Sequence, residues 1–400
     1  MSRTLRLRSS GDDVKFLQER LNALPTALPP LPLDGKYGAK TRHRVKEFQG
    51  NNALPVDGVV GPPTWGQLLG YAVVKTTGFF VLGRDLYDRR GVRVLLRGVN
   101  KMSVWDLDDP VGLATFPEIK QTGANSVRIV WAITSNLEPG GPATALARLN
   151  PLIANAKANH LVPMIELHDA TGKWGRLNDL VDYWTQPAVV KILRRHKAYL
   201  LVNIANEAGD YTVSRADFVA GYSNAVQRMR AAGIHPPLVI DASNWGKDLA
   251  MLNSTAAALL AADPEGNLIF SVHFYWPLAD GANASFIRSN LQQAAALGYP
   301  LVVGEFSQVG AYSQNNPRAN KCGPTGKIDY QAILAACHEL QLGWYAWEWG
   351  PGNGYNDPLC AVMDMTPDRL FANLKPGWAR EVALDSPFGI RQTSVTPASI

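Results

Sequence analysis

Cysteine is scarce in this chain: Cys322, Cys337 and Cys360 are the only three. No C-x-x-C occurs, and the seven histidines form neither H-E-x-x-H nor a close pair, so redox motifs and zinc-ligand spacings are absent. Charged side chains make up only 18% of the chain, and no apolar run approaches the length of a membrane-spanning helix. The opening residues Met1-Ser2-Arg3-Thr4-Leu5-Arg6 carry no apolar export core, so any export signal is expected to have been removed or never to have existed. There is no Walker-type loop and no G-x-S-x-G elbow. Gly350-x-Gly352-x-Gly354 lacks the G-x-G-x-x-G spacing and reads as a loop, so no nucleotide cofactor, and indeed no cofactor or metal of any kind, is expected.

What is present is core and aromatic surface. Hydrophobic residues reach 46%, with eleven tryptophans and thirteen tyrosines, enough for a large core and for flat rings that stack on sugars. The net charge is +5, and residues 1–70 hold ten Lys/Arg against six Asp/Glu, so most of the excess lies there. A mildly basic segment suits an anionic surface such as a cell wall; its interspersed acids argue against nucleic acid. Cys322 and Cys360 lie in polar, Gly/Pro-rich loops and are candidates for a disulfide in an oxidising compartment, whereas Cys337 falls in the apolar pattern Ile333-Leu334-Ala335-Ala336-Cys337 and reads as a buried thiol.

Four hundred residues suit one barrel-sized domain plus a small module. In the first segment Asp34-Gly35-x-x-Gly38-x-x-Thr41 returns as Asp57-Gly58-x-x-Gly61-x-x-Thr64, with Asp-Gly supplying a turn and Thr placed to cap a helix. Helices are expected over 12–22, with Val14, Leu17 and Leu21 on one face, over 42–49 and over 65–69. The repeat, together with Phe48-Gln49, resembles the peptidoglycan-binding-like domain, apart from the proline-rich insertion Pro25 to Pro32. That resemblance implies peptidoglycan as a partner of residues 1–75; a spacer without a ligand is the alternative.

From Gly78 onward, apolar runs alternate with amphipathic helical stretches. Strands are expected at 94–96, 126–130, 162–167, 200–205, 238–240, 268–272, 301–303 and 344–346, with intervening helices such as 151–159, 216–232 and 328–339. Strand–helix alternation means parallel pairing, and eight units in about 300 residues fit a closed barrel. The expected fold is therefore α/β, a (β/α)8 TIM barrel over residues 76–390 preceded by a small three-helix domain over 1–75, with a loose polar tail at 391–400.

In such a barrel, chemistry gathers where the strands end. Those ends read Asn100, Arg128, His168, Asn206-Glu207, Asn244-Trp245, His273 with Tyr275, Glu305 and Trp347. Two runs stop on carboxylates, Leu200 to Glu207 and Pro300 to Glu305, and two glutamates on one rim can serve as the acid and nucleophile of glycosidic bond cleavage. A single such residue means little, since a lone Glu is usually solvated and a lone His usually a satisfied imidazole.

Residues 78 to about 390 resemble glycoside hydrolase family 5. The resemblance rests on Val127-Arg128-Ile129, Glu166-Leu167-His168-Asp169, Asn203 to Glu207, Ser271 to Tyr275, Gly304-Glu305-Phe306 and Ala346-Trp347, and is strongest to its bacterial endo-β-1,4-mannanases. It implies a retaining endo-β-1,4-mannanase acting on mannan or glucomannan. Glu305 would be the nucleophile, kept ionised by Arg128 and bonded by Tyr275; Glu207 would be the general acid/base, with carboxyls about 5–5.5 Å apart. Asn206 would bind the sugar 2-hydroxyl, His168 and His273 would bind sugar or join the hydrogen-bond network, and Trp347 would lie beneath the sugar. For Trp245, sugar contact and plain loop packing stand level. Trp131 and Glu348 depart from the pattern, the first affecting subsite geometry and the second offering a third carboxylate near the cleft. The alternatives are an endo-β-1,4-glucanase (cellulase) and a non-catalytic cell-wall or carbohydrate-binding protein. The expected location is secreted or cell-wall associated, without a membrane span.

Overall fold

The computed structural model describes residues 4–22, 24, 26–52, 54–68, 78–89, 91–133, 141–310, 322–353, 358–397 and 399–400. The boundary expected between 75 and 76 lies outside them, as do Pro25, Leu69 and Gly354. No helix among the described residues is long and apolar enough to cross a membrane.

The N-terminal module contains α1 (Asp12–Asn22), α2 (Ala39–Asn51) and α3 (Pro62–Leu68). Val14, Leu17 and Leu21 of α1 do face its core, against Val45, Phe48 and Trp65. The repeat has a different basis from helix capping. Thr41 and Thr64 lie inside α2 and α3, and Gly38, not Thr41, is the N-cap of α2. Each repeat instead wraps a buried glutamine. Gln18 Nε2 donates to Asp34 Oδ1 (2.8 Å), Lys36 O (3.1 Å) and Thr41 Oγ1 (3.3 Å), while its Oε1 accepts from Gly35 N at 3.1 Å. Gln49 does the same with Asp57 Oδ1 (2.9 Å), Val59 O (2.9 Å), Thr64 Oγ1 (3.1 Å) and Gly58 N (2.9 Å). One amide thus satisfies a whole turn that would otherwise bury unpaired backbone groups.

Beyond the module, β1 (Phe80–Leu82), β2 (Asp85–Tyr87) and β3 (Arg93–Val94) form a small antiparallel sheet. Then come eight strands: β4 (Arg97–Lys101), β5 (Ser126–Trp131), β6 (Val162–Leu167), β7 (Leu201–Asn203), β8 (Leu238–Asp241), β9 (Leu268–His273), β10 (Leu301–Glu305) and β11 (Gly343–Ala346). They close into a parallel barrel in chain order, with β11 pairing back onto β4. The helices Arg215–Ala231, Leu249–Ala262, Ala284–Ala296 and Tyr330–Leu340 follow β7 to β10. Ser214, Asp248, Asn283 and Asp329 cap them by accepting a backbone N–H three residues on, each worth about 1 kcal/mol.

The first barrel strand is not at 94–96 as the apolar run suggests. Val94 and Leu96 are apolar because they help plug the barrel floor with Met164, Leu201, Val239, Ile269 and Tyr345. The strand itself, Arg97-Gly98-Val99-Asn100-Lys101, reads as polar because Asn100 serves the interior while the outward Arg97 and Lys101 are buried on polar partners. The tail is not loose either. Ile390 is fully buried, Thr393 Oγ1 accepts from Arg97 Nε at 2.9 Å, and Val395 O accepts from Asn125 Nδ2 at 2.9 Å.

Candidate active site

Along each barrel strand side chains alternate between the interior and the helices. The outward set (Val99, Val127, Ile129, Ile165, Val202, Ile240, Phe270, Val272, Val303, Trp344) joins the main core. The inward set changes character from floor to mouth: Met164 gives way to Glu166, Leu201 to Asn203, Val239 to Asp241, Ile269 to Ser271 and His273, and Val302 to Gly304. Burial and polarity therefore coincide at the mouth, and every polar group there must find a partner.

Arg128 is the hub, with no exposed surface. Its Nη1 donates to Glu305 Oε1 at 2.8 Å and Asn100 Oδ1 at 3.0 Å. Its Nη2 donates to Asn206 Oδ1 (2.7 Å), Asn203 Oδ1 (2.8 Å) and Asp241 Oδ2 (3.3 Å). Burial alone would lower its pKa, but the charges of Glu166, Asp241 and Glu305 raise it above the ordinary value.

Two local distortions aim the glutamates. At β10 the register against β9 shifts between Val303 and Glu305, a bulge that brings Glu305 opposite His273. Gly304 makes room, since a Cβ there would fall 2.2 Å from Ser271 Oγ. Beyond β7, Glu207 adopts a left-handed backbone (φ 48°), held by its N–H donating to Asp241 Oδ2 at 3.1 Å. As a result, oxygens of Glu207 and Glu305 and a ring nitrogen of His273 all lie within 4.8 Å of one another. Tyr275 Oη donates to Glu305 Oε2 at 2.8 Å.

Burial pushes the Glu305 carboxyl above its ordinary range, while His273 and Arg128 pull it back and Glu207 raises it further. Burial and the Glu207 charge thus oppose the two cations over this carboxyl. Burial pushes His273 down, but Glu305, Asp241 and Glu207 more than compensate and hold it at about 9. Among the described residues these three side chains are the one group with metal-like spacing.

The remaining candidates sort cleanly. His168 Nδ1 pairs with Glu166 Oε1 at 2.8 Å, and its ring stacks on Trp347 (5.8 Å between centroids, 22°). Asn206 Nδ2 donates to Thr171 Oγ1 at 2.8 Å. Trp245 is apart from this network, on the rim, 37% exposed, with Lys247 Nζ 5.8 Å from its ring centre. Trp131 is core: it is buried and its Nε1 donates to Tyr183 Oη at 2.9 Å, so it shapes no subsite. Glu348 is fully buried and accepts from Met102 N at 3.0 Å, so it is no cleft carboxylate. Glu166 and Asn203 entered the sequence reading only within the family resemblance and Asp241 not at all, so none of the three was a site candidate. Their signal is a polar residue at an inward position of an otherwise apolar strand, two before the rim in the case of Glu166.

Paired buried glutamates at the mouth of a closed (β/α)8 barrel define the molecule as a glycoside hydrolase. Residues 87–353 match the family described as Cellulase (glycosyl hydrolase family 5), and the chain belongs to that family. Residues 10–68 match a putative peptidoglycan binding domain. The mannan endo-1,4-β-mannosidase of Cellvibrio japonicus (strain Ueda107) is 31% identical over 84% of this chain and 72% of its own. That of Streptomyces lividans is 30% identical over 83% and 80%. The crystal structure of β-mannanase from Streptomyces thermolilacinus superposes with a TM-score of 0.67 at 32% identity, covering 80% of this chain and 98% of that one.

Proposed function

We propose that the protein is a retaining endo-β-1,4-mannanase acting on mannan or glucomannan. The observation that carries this reading is the approach of Glu207 and Glu305 to within 4.8 Å across the barrel mouth, close to the separation of retaining enzymes and too short for the water that inversion requires. The named activity of the relatives supports mannan over cellulose.

Glu305 is the nucleophile, since Arg128 and Tyr275 both donate to it and so favour its anion. Its carboxylate attacks the anomeric carbon while Glu207 gives a proton to the departing oxygen. Glu207 then takes a proton from the water that attacks the glycosyl-enzyme, and Glu305 leaves as carboxylate. Protons in the Glu207–His273–Glu305 group belong to the set rather than to one member. Asn206, oriented by Arg128, faces the 2-hydroxyl; Trp347 and His168 form the floor beneath the sugar, and Trp245 offers a rim contact.

Residues 10–68 act as an anchor to cell-wall peptidoglycan, and the enzyme works outside the cytoplasm. The bond between Cys322 and Cys360 supports an oxidising location. Reducing-sugar release from galactomannan, glucomannan and carboxymethylcellulose, with Glu305→Gln as control, tests the reading. Cleavage of cellulose but not mannan overturns the substrate, and full activity in Glu305→Gln overturns the mechanism. Retention of the full chain on insoluble peptidoglycan tests the anchor.

A further inference from the structure

The segment after β11 contains an ordered set of polar groups that the reaction above does not use. Trp347 Nε1 donates to Asn353 Oδ1 at 2.9 Å. The Asn353 amide is fixed from its other side, where Nδ2 donates to Asp364 Oδ1 at 2.7 Å and reaches Glu348 Oε1 at 3.5 Å. With its N–H groups directed at carboxylates, its carbonyl oxygen is left to face the indole.

Asp364 also gathers the loop backbone, accepting from Gly352 N at 3.3 Å and Asn353 N at 3.1 Å. Glu348 is tied down in turn: its Oε2 accepts from Met102 N at 3.0 Å, its N–H donates to Met363 O at 3.1 Å, and its carbonyl accepts from Met365 N at 2.8 Å. The loop must pass close to this carboxyl. A Cβ on Gly352 would fall 2.1 Å from Met102 Cε and 2.2 Å from Glu348 Oε1. Lys101 and Asp106, paired at 2.8 Å, complete the charged surroundings of Glu348.

We propose that Asn353 is a positioning residue for Trp347: held by Asp364 and Glu348, it fixes the edge of the indole and hence the plane on which the sugar rests. This builds on the assignment of Trp347 as the sugar floor. His168 braces a face of the ring, and Asn353 removes the remaining freedom to rotate about the side-chain bonds. Asn353 itself touches no substrate in this scheme. It acts through its carbonyl oxygen, which accepts from the indole N–H.

The test is a double-mutant cycle in the full chain with Asn353→Ala, Trp347→Phe and the pair, measured on whichever β-1,4-glycan the parent cleaves. Asn353→Ala is expected to lower kcat/KM about five- to tenfold, mainly through KM, as loss of one orienting hydrogen bond implies. In the Trp347→Phe background, which has no indole N–H, the same change is expected to cost less than about twofold. Independently of turnover, the Trp347 indole N–H resonance, assigned by its disappearance in Trp347→Phe, is expected to move upfield in Asn353→Ala. An unmoved resonance, or effects that simply multiply in the pair, overturns the proposal. A parent that cleaves no glycan instead defeats the hydrolase reading, and the resonance still reports on the Asn353 contact. If Asn353→Ala does not fold, Asn353→Ser, which is too short to reach the indole, carries the same expectations.

Discussion

His273 Nδ1 lies 2.7 Å from Glu207 Oε1 and 3.6 Å from Glu305 Oε1, so a single imidazole lies against both carboxyls of the proposed catalytic pair. Its other nitrogen faces Asp241 Oδ2 at 3.4 Å. With both sides lined by acids, the ring keeps its proton despite complete burial.

That proton sets an alkaline limit. The folded value of about 9 lies above the ordinary 6.5, so the stabilisation it brings is complete below about 6.5 and lost as pH climbs through 9. Activity is expected to fall over the upper part of this range as one cation leaves the carboxylates. A pH–rate profile of kcat/KM checks this against His273→Asn, which should lose that limb and run at least about tenfold slower throughout. An identical alkaline limb in the variant would falsify the assignment.

Arg128→Lys should be severe. A lysine has no planar fork and cannot serve Glu305, Asn100, Asn203, Asn206 and Asp241 together. Leaving several buried acceptors and an anion short of donors is expected to cost roughly 3–5 kcal/mol of stability. The loss of kcat/KM is expected to exceed about a hundredfold. Thermal melts and kinetics on the same preparations decide it; a Tm within a degree or two of the parent would count against Arg128 as hub.

Glu348, beside Trp347 in the chain but outside the pair of glutamates at the barrel mouth, makes the fold sensitive to pH. Burial, aided by Asp364 and opposed by Lys101, holds this carboxyl at about 8 instead of its ordinary 4.5. The folded chain then binds a proton that the unfolded chain releases, so stability is full below about 4.5 and declines as pH rises to 8. Glu348→Gln removes that decline. Relative to the parent it is expected to gain roughly 3–5 kcal/mol between pH 4.5 and 8 as an upper bound, read from denaturant midpoints across that range. Parallel pH curves for the two proteins sink the idea.

In the N-terminal module, Gln18→Ala and Gln49→Ala are expected to be similarly damaging, because each strips one turn of its donors and acceptor. A loss of roughly 2–3 kcal/mol from each is the expected scale, since more than one buried group loses its partner. Limited proteolysis of the full chain, followed by mapping of cuts within residues 4–68, measures it. If only one of the two matters, the turns are not equivalent.

Much of this was legible because function sits where apolar runs stop. Glu207, Glu305, His273 and Tyr275 each announce themselves at or near a strand end, whereas Arg128, read as a strand end, lies in the middle of β5 and reaches them from inside the barrel. Less visible were residues whose meaning depends on which way a strand faces. Asn203 and Asp241 look like noise within apolar runs until the alternation of the barrel turns them inward. The opposite error placed the first strand at Val94 to Leu96, where hydrophobicity serves the floor, and passed over Arg97–Lys101 because its buried polar groups find distant partners. The threonines of the repeat misled for a related reason: a hydroxyl near a helix start suits a cap, but here a glutamine claims the turn, twenty-three residues before Thr41 and fifteen before Thr64.

The way the last residues dock has a practical reading. Thr393, Val395 and Thr396 are held by Arg97, Asn125 and Lys120, groups at the entry ends of the strands or just before them, while the glutamates sit at the exit ends. A fluorescent tag or immobilisation handle joined after Ile400 would therefore emerge beneath the barrel, leaving a long polymer free to thread past the opposite side.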